Sequence, residues 1–143
     1  MPEKKTVERA RKDKREGKSA STQAGEFVRE EMEHIRKGKQ GARSTKQAIA
    51  IGLSKARRAG VKLKPPKAGT TSERTRKQAS RDLKKGSSAK KTTKKVSAKR
   101  SRATSNALKR EGRSAASKKA LSKQAKSAAQ ARRRRGKATA SRA

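Results

Sequence analysis

Cysteine, tryptophan and tyrosine are absent from this chain, and Phe27 is its one aromatic residue. Without thiols, neither a disulfide framework nor a thiolate metal site can form. Without aromatic platforms, the base stacking used by single-strand and RNA binders is largely closed. Large aliphatic side chains are scarce too. Leu, Ile, Val and Phe together number 13 of 143 residues, about 9%, and a highly charged chain is expected to be disordered below roughly 20%. Ordering costs about 1–2 kcal/mol of backbone entropy per residue, so compact folding throughout is not expected. No apolar run approaches the roughly 20 residues that cross a bilayer. The opening Met-Pro-Glu-Lys-Lys-Thr-Val-Glu carries acids and no apolar stretch, so a signal peptide is not expected and a cytoplasmic location is.

What the chain has instead is positive charge. Forty-six Lys and Arg stand against 11 Asp and Glu, a net of +35. Self-repulsion on that scale opposes compaction and favours a dense polyanion as partner. Duplex DNA, with one charge per roughly 1.7 Å of axis and a shell of releasable counterions, is the expected one. A solvated surface accounts for one charged helix, but not for an excess of this size along a whole chain.

The grammar changes near Pro65-Pro66. Residues 1–64 carry 19 basic and 8 acidic side chains, and residues 65–143 carry 27 and 3. Large apolar residues divide the other way, with only Leu83, Val96, Leu108 and Leu121 in the second part. The expected fold is therefore mainly α: a small helical head over 1–64, then a largely disordered polycationic tail over 65–143 with transient helices. The spacing predicts helices at about 3–16, 21–37 and 44–59. The first is expected to be solvated. The second presents Ala24, Phe27, Val28, Met32 and Ile35 on one face, and its carboxylates serve charge balance. The third opens with the capping box Ser44-Thr45-Lys46-Gln47, and its small residues Ala48, Gly52 and Ala56 suit close approach. The last two form an antiparallel hairpin, with Val61 and Leu63 folding back over its end. In the tail, helix is expected only transiently, at 72–85 and 104–135, because like charges at i,i+4 oppose it.

A near-repeat links the two parts: Lys14-Arg15-Glu16-Gly17-Lys18-Ser19-Ala20 returns as Lys109-Arg110-Glu111-Gly112-Arg113-Ser114-Ala115. With glycines at 17, 41, 60, 86, 112 and 136, it reads as basic helical beads separated by glycine stops. The same words also arise easily from a chain so rich in Lys, Gly, Ser and Ala.

Lys, Arg, Ser and Thr suit phosphates rather than base edges. The expected phosphate contacts are Lys39, Arg43, Arg57, Arg58 and Lys62 in the head. In the tail they are Lys90, Lys91, Lys94, Lys95, Lys99 and Arg100, with Arg132, Arg133, Arg134 and Arg135 as the densest block. About eight neutralised phosphates correspond to a slope of log K against log salt near −7. No catalytic constellation, P-loop or dinucleotide-binding glycine pattern is present, and His34 reads as a boundary residue without ligand partners. The expected protein is non-enzymatic, with no cofactor, metal, small-molecule substrate or membrane. It binds DNA with low specificity in the nucleoid. Two alternatives stand beside that: a structural RNA-binding or ribosome-associated protein, and a plasmid-maintenance or protein-interaction factor. The oligomeric state stays open.

The head, from Lys4-Lys5-Thr6-Val7 through Ser21-Thr22-Gln23-Ala24-Gly25-Glu26-Phe27-Val28 to Ala42–Val61, resembles the small basic bacterial proteins of the DUF6496 family. The resemblance covers about residues 4–63 and implies DNA binding or plasmid stabilisation without catalytic residues. The Lys/Ala/Ser-rich tail is similar in composition to bacterial histone-H1-like proteins, which implies compaction of DNA.

Overall fold

The computed structural model describes residues 1–88 and 97–140, and every described regular element is helical. Helices α1 (Lys4–Arg15), α2 (Ala20–Arg36) and α3 (Thr45–Arg58) build the head. Then follow α4 (Glu73–Ser87), α5 (Ala98–Arg110), a 3-10 turn (Ser114–Ala116) and α6 (Lys118–Ala140). Serine hydroxyls start four of the described helices. Ser19, Ser44, Ser72 and Ser117 accept from the backbone N–H of Thr22, Gln47, Thr75 and Ala120 at 3.2, 3.2, 3.3 and 3.2 Å. Each satisfies one of the N–H groups a helix leaves unpaired. Gln47 completes its box one residue early, with its Oε1 accepting from the N–H of Arg43 at 2.8 Å.

The predicted hairpin is present. Ala48, Gly52 and Ala56 of α3 are buried against α2. A Cβ placed on Gly52 would lie 2.7 Å from the Cα of Val28, so only glycine allows this crossing. Two buried clusters flank the hairpin. One joins Phe27 and Ala24 to Ala56, Val61 and Ala10, with Val7, Leu53 and Leu63 packed around them. The fold-back of Val61 and Leu63 therefore occurs as expected.

α1 is not the solvated helix its apolar content suggested. Thr6, Ala10 and Asp13 lie on one face and are buried, and α1 packs on α2. Small and short polar residues make this seam, which a count of large apolar side chains overlooks.

The second cluster corrects the larger expectation. Met32, Ile35, Ala42 and Ala48 are covered by Ala115 and Ala116, with Leu121 beside them. The segment beyond Pro65-Pro66 thus completes the core of the head. Described residues that were expected to be largely disordered form three helices, α4 packs along α3, and the 3-10 turn packs on both α2 and α3. The energetics allow this. Two buried alanine methyls bring about 1–2 kcal/mol, and four hydrogen bonds of about 1 kcal/mol each add to them. These run from Gly41 N to Leu108 O (2.8 Å), Ala42 N to Gly112 O (3.1 Å), Thr45 Oγ1 to Ala115 O (2.7 Å) and Arg36 Nε to Ala116 O (3.0 Å). Within α6, like-charge pairs cost only a few tenths of a kcal/mol each, and its many alanines are the best helix formers.

The glycines are not uniform stops. Gly17 and Gly60 follow their helices in left-handed backbone, at φ 73° and 98°. Gly86 and Gly136 lie inside α4 and α6. Gly41 leaves room for the carbonyl of Glu111, which a Cβ would strike. The near-repeat closes a helix in both places, after Arg15 and after Arg110. Ser19 then caps α2, whereas Ser114 opens the turn that buries Ala115 and Ala116.

Candidate nucleic-acid interface

Nearly all the acidic residues are paired within the chain, some buried and some at the surface. Among the described residues, every one except Glu8 has a basic nitrogen within 4.0 Å. Glu31 is fully buried; it holds Lys55 Nζ at 2.6 Å and is hydrogen-bonded by Gln40. Glu30 is 5% exposed and accepts the backbone N–H of Glu3 at 3.1 Å. Asp82 is 2% exposed, takes the Ser54 hydroxyl at 2.6 Å and the Gln78 amide at 3.1 Å, and faces Arg58 at 3.9 Å. The helix-two carboxylates thus tie α2 to α3 as well as balancing charge. What reaches solvent is overwhelmingly positive.

The expected phosphate contacts separate into groups. Lys39 and Arg43 are exposed on the α2–α3 turn, but each has a carboxylate nearby: Glu3 at 3.3 Å and Glu111 at 3.8 Å. Arg57 departs most from expectation. It is 7% exposed, and its guanidinium donates to the carbonyls of Leu63 and Lys64 at 3.1 and 3.4 Å. Burial draws its pKa below the ordinary arginine value, while the charge of Asp82 acts in the opposite direction. An arginine remains charged even so, but its main task is to hold the 61–64 fold-back. Arg58 is exposed and bonded to the Ser54 carbonyl at 3.3 Å, and Lys62 is exposed. Lys99 and Arg100 stand exposed in the first turn of α5, and Arg132, Arg133, Arg134 and Arg135 are exposed on α6. Lys90, Lys91, Lys94 and Lys95 lie outside the described residues.

Nothing in the residue order announces the open cleft of about 930 Å³ between α3, α4 and α6. Lys46 and Arg57 of α3, Arg74 of α4, and Arg132 and Arg135 of α6 converge on it. Hydroxyls of Thr71, Thr75 and Ser127 and amides of Gln78 and Gln124 lie between them. Its single carboxylate, Asp82, is the buried and hydrogen-bonded one described above. With Arg57 committed to the Leu63 and Lys64 carbonyls, the cleft presents four cations, and among the described residues no free counter-charge. It divides the arginine block: Arg132 and Arg135, three residues apart and so on one face of α6, line it, and Arg133 and Arg134 do not. Lys46 and Arg74 went unnoticed because each is one basic residue among several in its helix, and only the packing of α4 along α3 brings them together. A smaller hollow of about 250 Å³, on another face of α4, is bordered by Arg76, Lys77, Arg81 and Lys84.

Among the described residues, no three His, Asp or Glu side chains come together as a metal site. No described helix is long and apolar enough to cross a membrane. No curated protein and no solved structure matches the chain. One family does: it is described as a family of unknown function, and the match spans residues 11–68, from the later part of α1 through α3 and most of the linker before α4. That segment holds the α3 wall of the cleft and the turn on which residues 108–116 dock. Over residues 11–68 the chain matches the model of the DUF6496 family.

Proposed function

We propose that this is a non-enzymatic, low-specificity DNA-binding protein of the nucleoid, neutralising phosphates and bridging duplex segments in the manner of histone H1. One observation carries the reading. The carboxylates are spent on internal pairs, while α5 and α6 carry only basic charge outward, five Lys and Arg in one and nine in the other, with no acid in either. Such a surface matches the regular charge of a nucleic-acid backbone and gains from counterion release. It offers few fixed side chains for reading base edges.

The experiment is a competition titration of duplex DNA against structured RNA over a salt series. The expected result is binding to DNA at least equal to RNA, with log K falling against log salt at a slope near −7, as for about eight neutralised phosphates. A strong preference for RNA would replace the reading with a structural RNA-binding one. A shallow slope on both would remove the electrostatic argument and direct the search to a protein partner of the head.

A further inference from the structure

We propose that the cleft between α3, α4 and α6 is a clamp for one sugar–phosphate strand, with the distal half of α6 as its movable jaw; this deepens the DNA-binding reading and rests on it. α6 packs on α3 and on the 3-10 turn, and not on α4. Its anchor is near its start, where Leu121 joins the cluster of Met32, Ile35 and Ala115. From Gln130 onward every described residue is exposed. The jaw is thus tethered at one end, and it borders the cleft, which Arg132 and Arg135 line together with Lys46 and Arg74.

Those four cations repel across the opening, and the carboxylate at the floor, Asp82, is committed to Ser54 and Gln78. Among the described residues, no free carboxylate draws the jaw shut. An anion between the walls converts the repulsion into two sets of charge-assisted contacts. At about 930 Å³ the cleft is on the scale of a small-molecule site, roughly 300–1,000 Å³. It takes a few nucleotides of one strand and excludes a whole duplex. Hydroxyl and amide groups along it suit phosphate and sugar oxygens. With no aromatic side chain to stack bases, the grip is on the backbone and indifferent to sequence.

The adjacent arginines provide a charge-matched comparison. Arg132→Gln with Arg135→Gln strips the cleft, whereas Arg133→Gln with Arg134→Gln removes the same charge from the same helix outside it. All four residues are exposed, so neither variant disturbs packing. Affinity is measured for a short blunt duplex and for an oligo-thymidylate strand over a salt series. The cleft variant is expected to lose roughly tenfold or more in affinity, and its salt slope to shrink by about 2. The comparison variant should lose less than about threefold. Lys46→Gln with Arg74→Gln, from the facing wall, should match the cleft loss. Combining both walls should give less than the product of the two losses, because the walls share one ligand. A cleft loss confined to oligo-thymidylate identifies the strand as a free one, and an equal loss on both probes identifies it as an edge of the duplex. Equal losses from the two arginine pairs would overturn the clamp and leave general DNA binding intact. Failure of the unaltered protein to bind either probe in a salt-dependent way would overturn the DNA-binding reading itself.

Discussion

Gly41 and Glu31 show how much individual positions carry in a chain with so little core. The N–H groups of Gly41 and Ala42 donate to Leu108 and Gly112, and a side chain at 41 would strike the carbonyl of Glu111. Gly41→Ala is expected to undock residues 108–116 while the α2–α3 hairpin persists. Hydrogen exchange should then quicken at the amides of residues 41 and 42 and stay slow within α2; unchanged exchange at 41 and 42 would show that the dock does not depend on this approach. Glu31 is a different case, a fully buried carboxylate paired with Lys55. Removing one partner of such a pair leaves the other charge short of compensation, so Glu31→Ala should cost about 2–4 kcal/mol in urea denaturation. Exposed pairs such as Lys12 with Glu16 or Arg29 with Glu33 contribute under about 1 kcal/mol, and their removal should be barely measurable.

Among the elements, α1 and α5 mark the range of attachment. α1 is fastened to α2 through Ala10 and to its surroundings through carboxylates. Glu3 is hydrogen-bonded to His34 at 2.9 Å and to Lys39 at 3.3 Å, and Glu16 takes Lys18 at 2.8 Å. These bonds hold both carboxyls below the ordinary value of 4.5, with His34 the largest cause for Glu3 and Lys18 for Glu16. A carboxyl whose pKa falls on folding favours the folded state when ionised. That contribution is complete above the ordinary value and is lost as pH falls through the lowered ones. Acidification below pH 4.5 should therefore loosen α1 before the α2–α3 hairpin, read as earlier loss of amide protection in α1. Simultaneous loss in all three helices would argue against local control. Among the described residues, α5 is tied only at its C-terminal end. Leu108 is its one residue that is not fully exposed, and the adjoining Glu111 meets Arg43. Like α6, it reaches from the head as a basic arm, about 20 Å long at 1.5 Å per residue.

For the whole molecule, a net of +35 sets self-repulsion against a few buried ion pairs. Salt screens the exposed charges within roughly 10 Å at 0.1 M and reaches the buried Glu31–Lys55 pair much less. The thermal midpoint is therefore expected to rise between low and about 0.15 M ionic strength, over the same range in which DNA affinity falls. A midpoint that fell with salt would mean that the ion pairs outweigh the net charge. On the proposed reading the opposed salt dependences have one source: DNA and dissolved anions relieve the same repulsion, and only DNA would do so at both walls of the cleft.

Much of the head was legible from residue order. Phe27, Met32 and Ile35 repeat with the period of a helix face, and the serine of Ser44-Thr45-Lys46-Gln47 caps α3 as its type and spacing imply. The small residues Ala48, Gly52 and Ala56 announced a close crossing. These signals are local or additive, so order and composition contain them. Tertiary structure alone decided that Ala115 and Ala116 close the core, that Arg57 turns inward, and that Lys46, Arg74, Arg132 and Arg135 share a cleft. Alanine within an alanine-rich tract has no hydrophobic contrast, and an arginine bound to backbone carbonyls is spelled like one bound to water. Residues some 60 positions apart meet only after α3, α4 and α6 have packed, because the meeting is a property of three surfaces and not of any one segment.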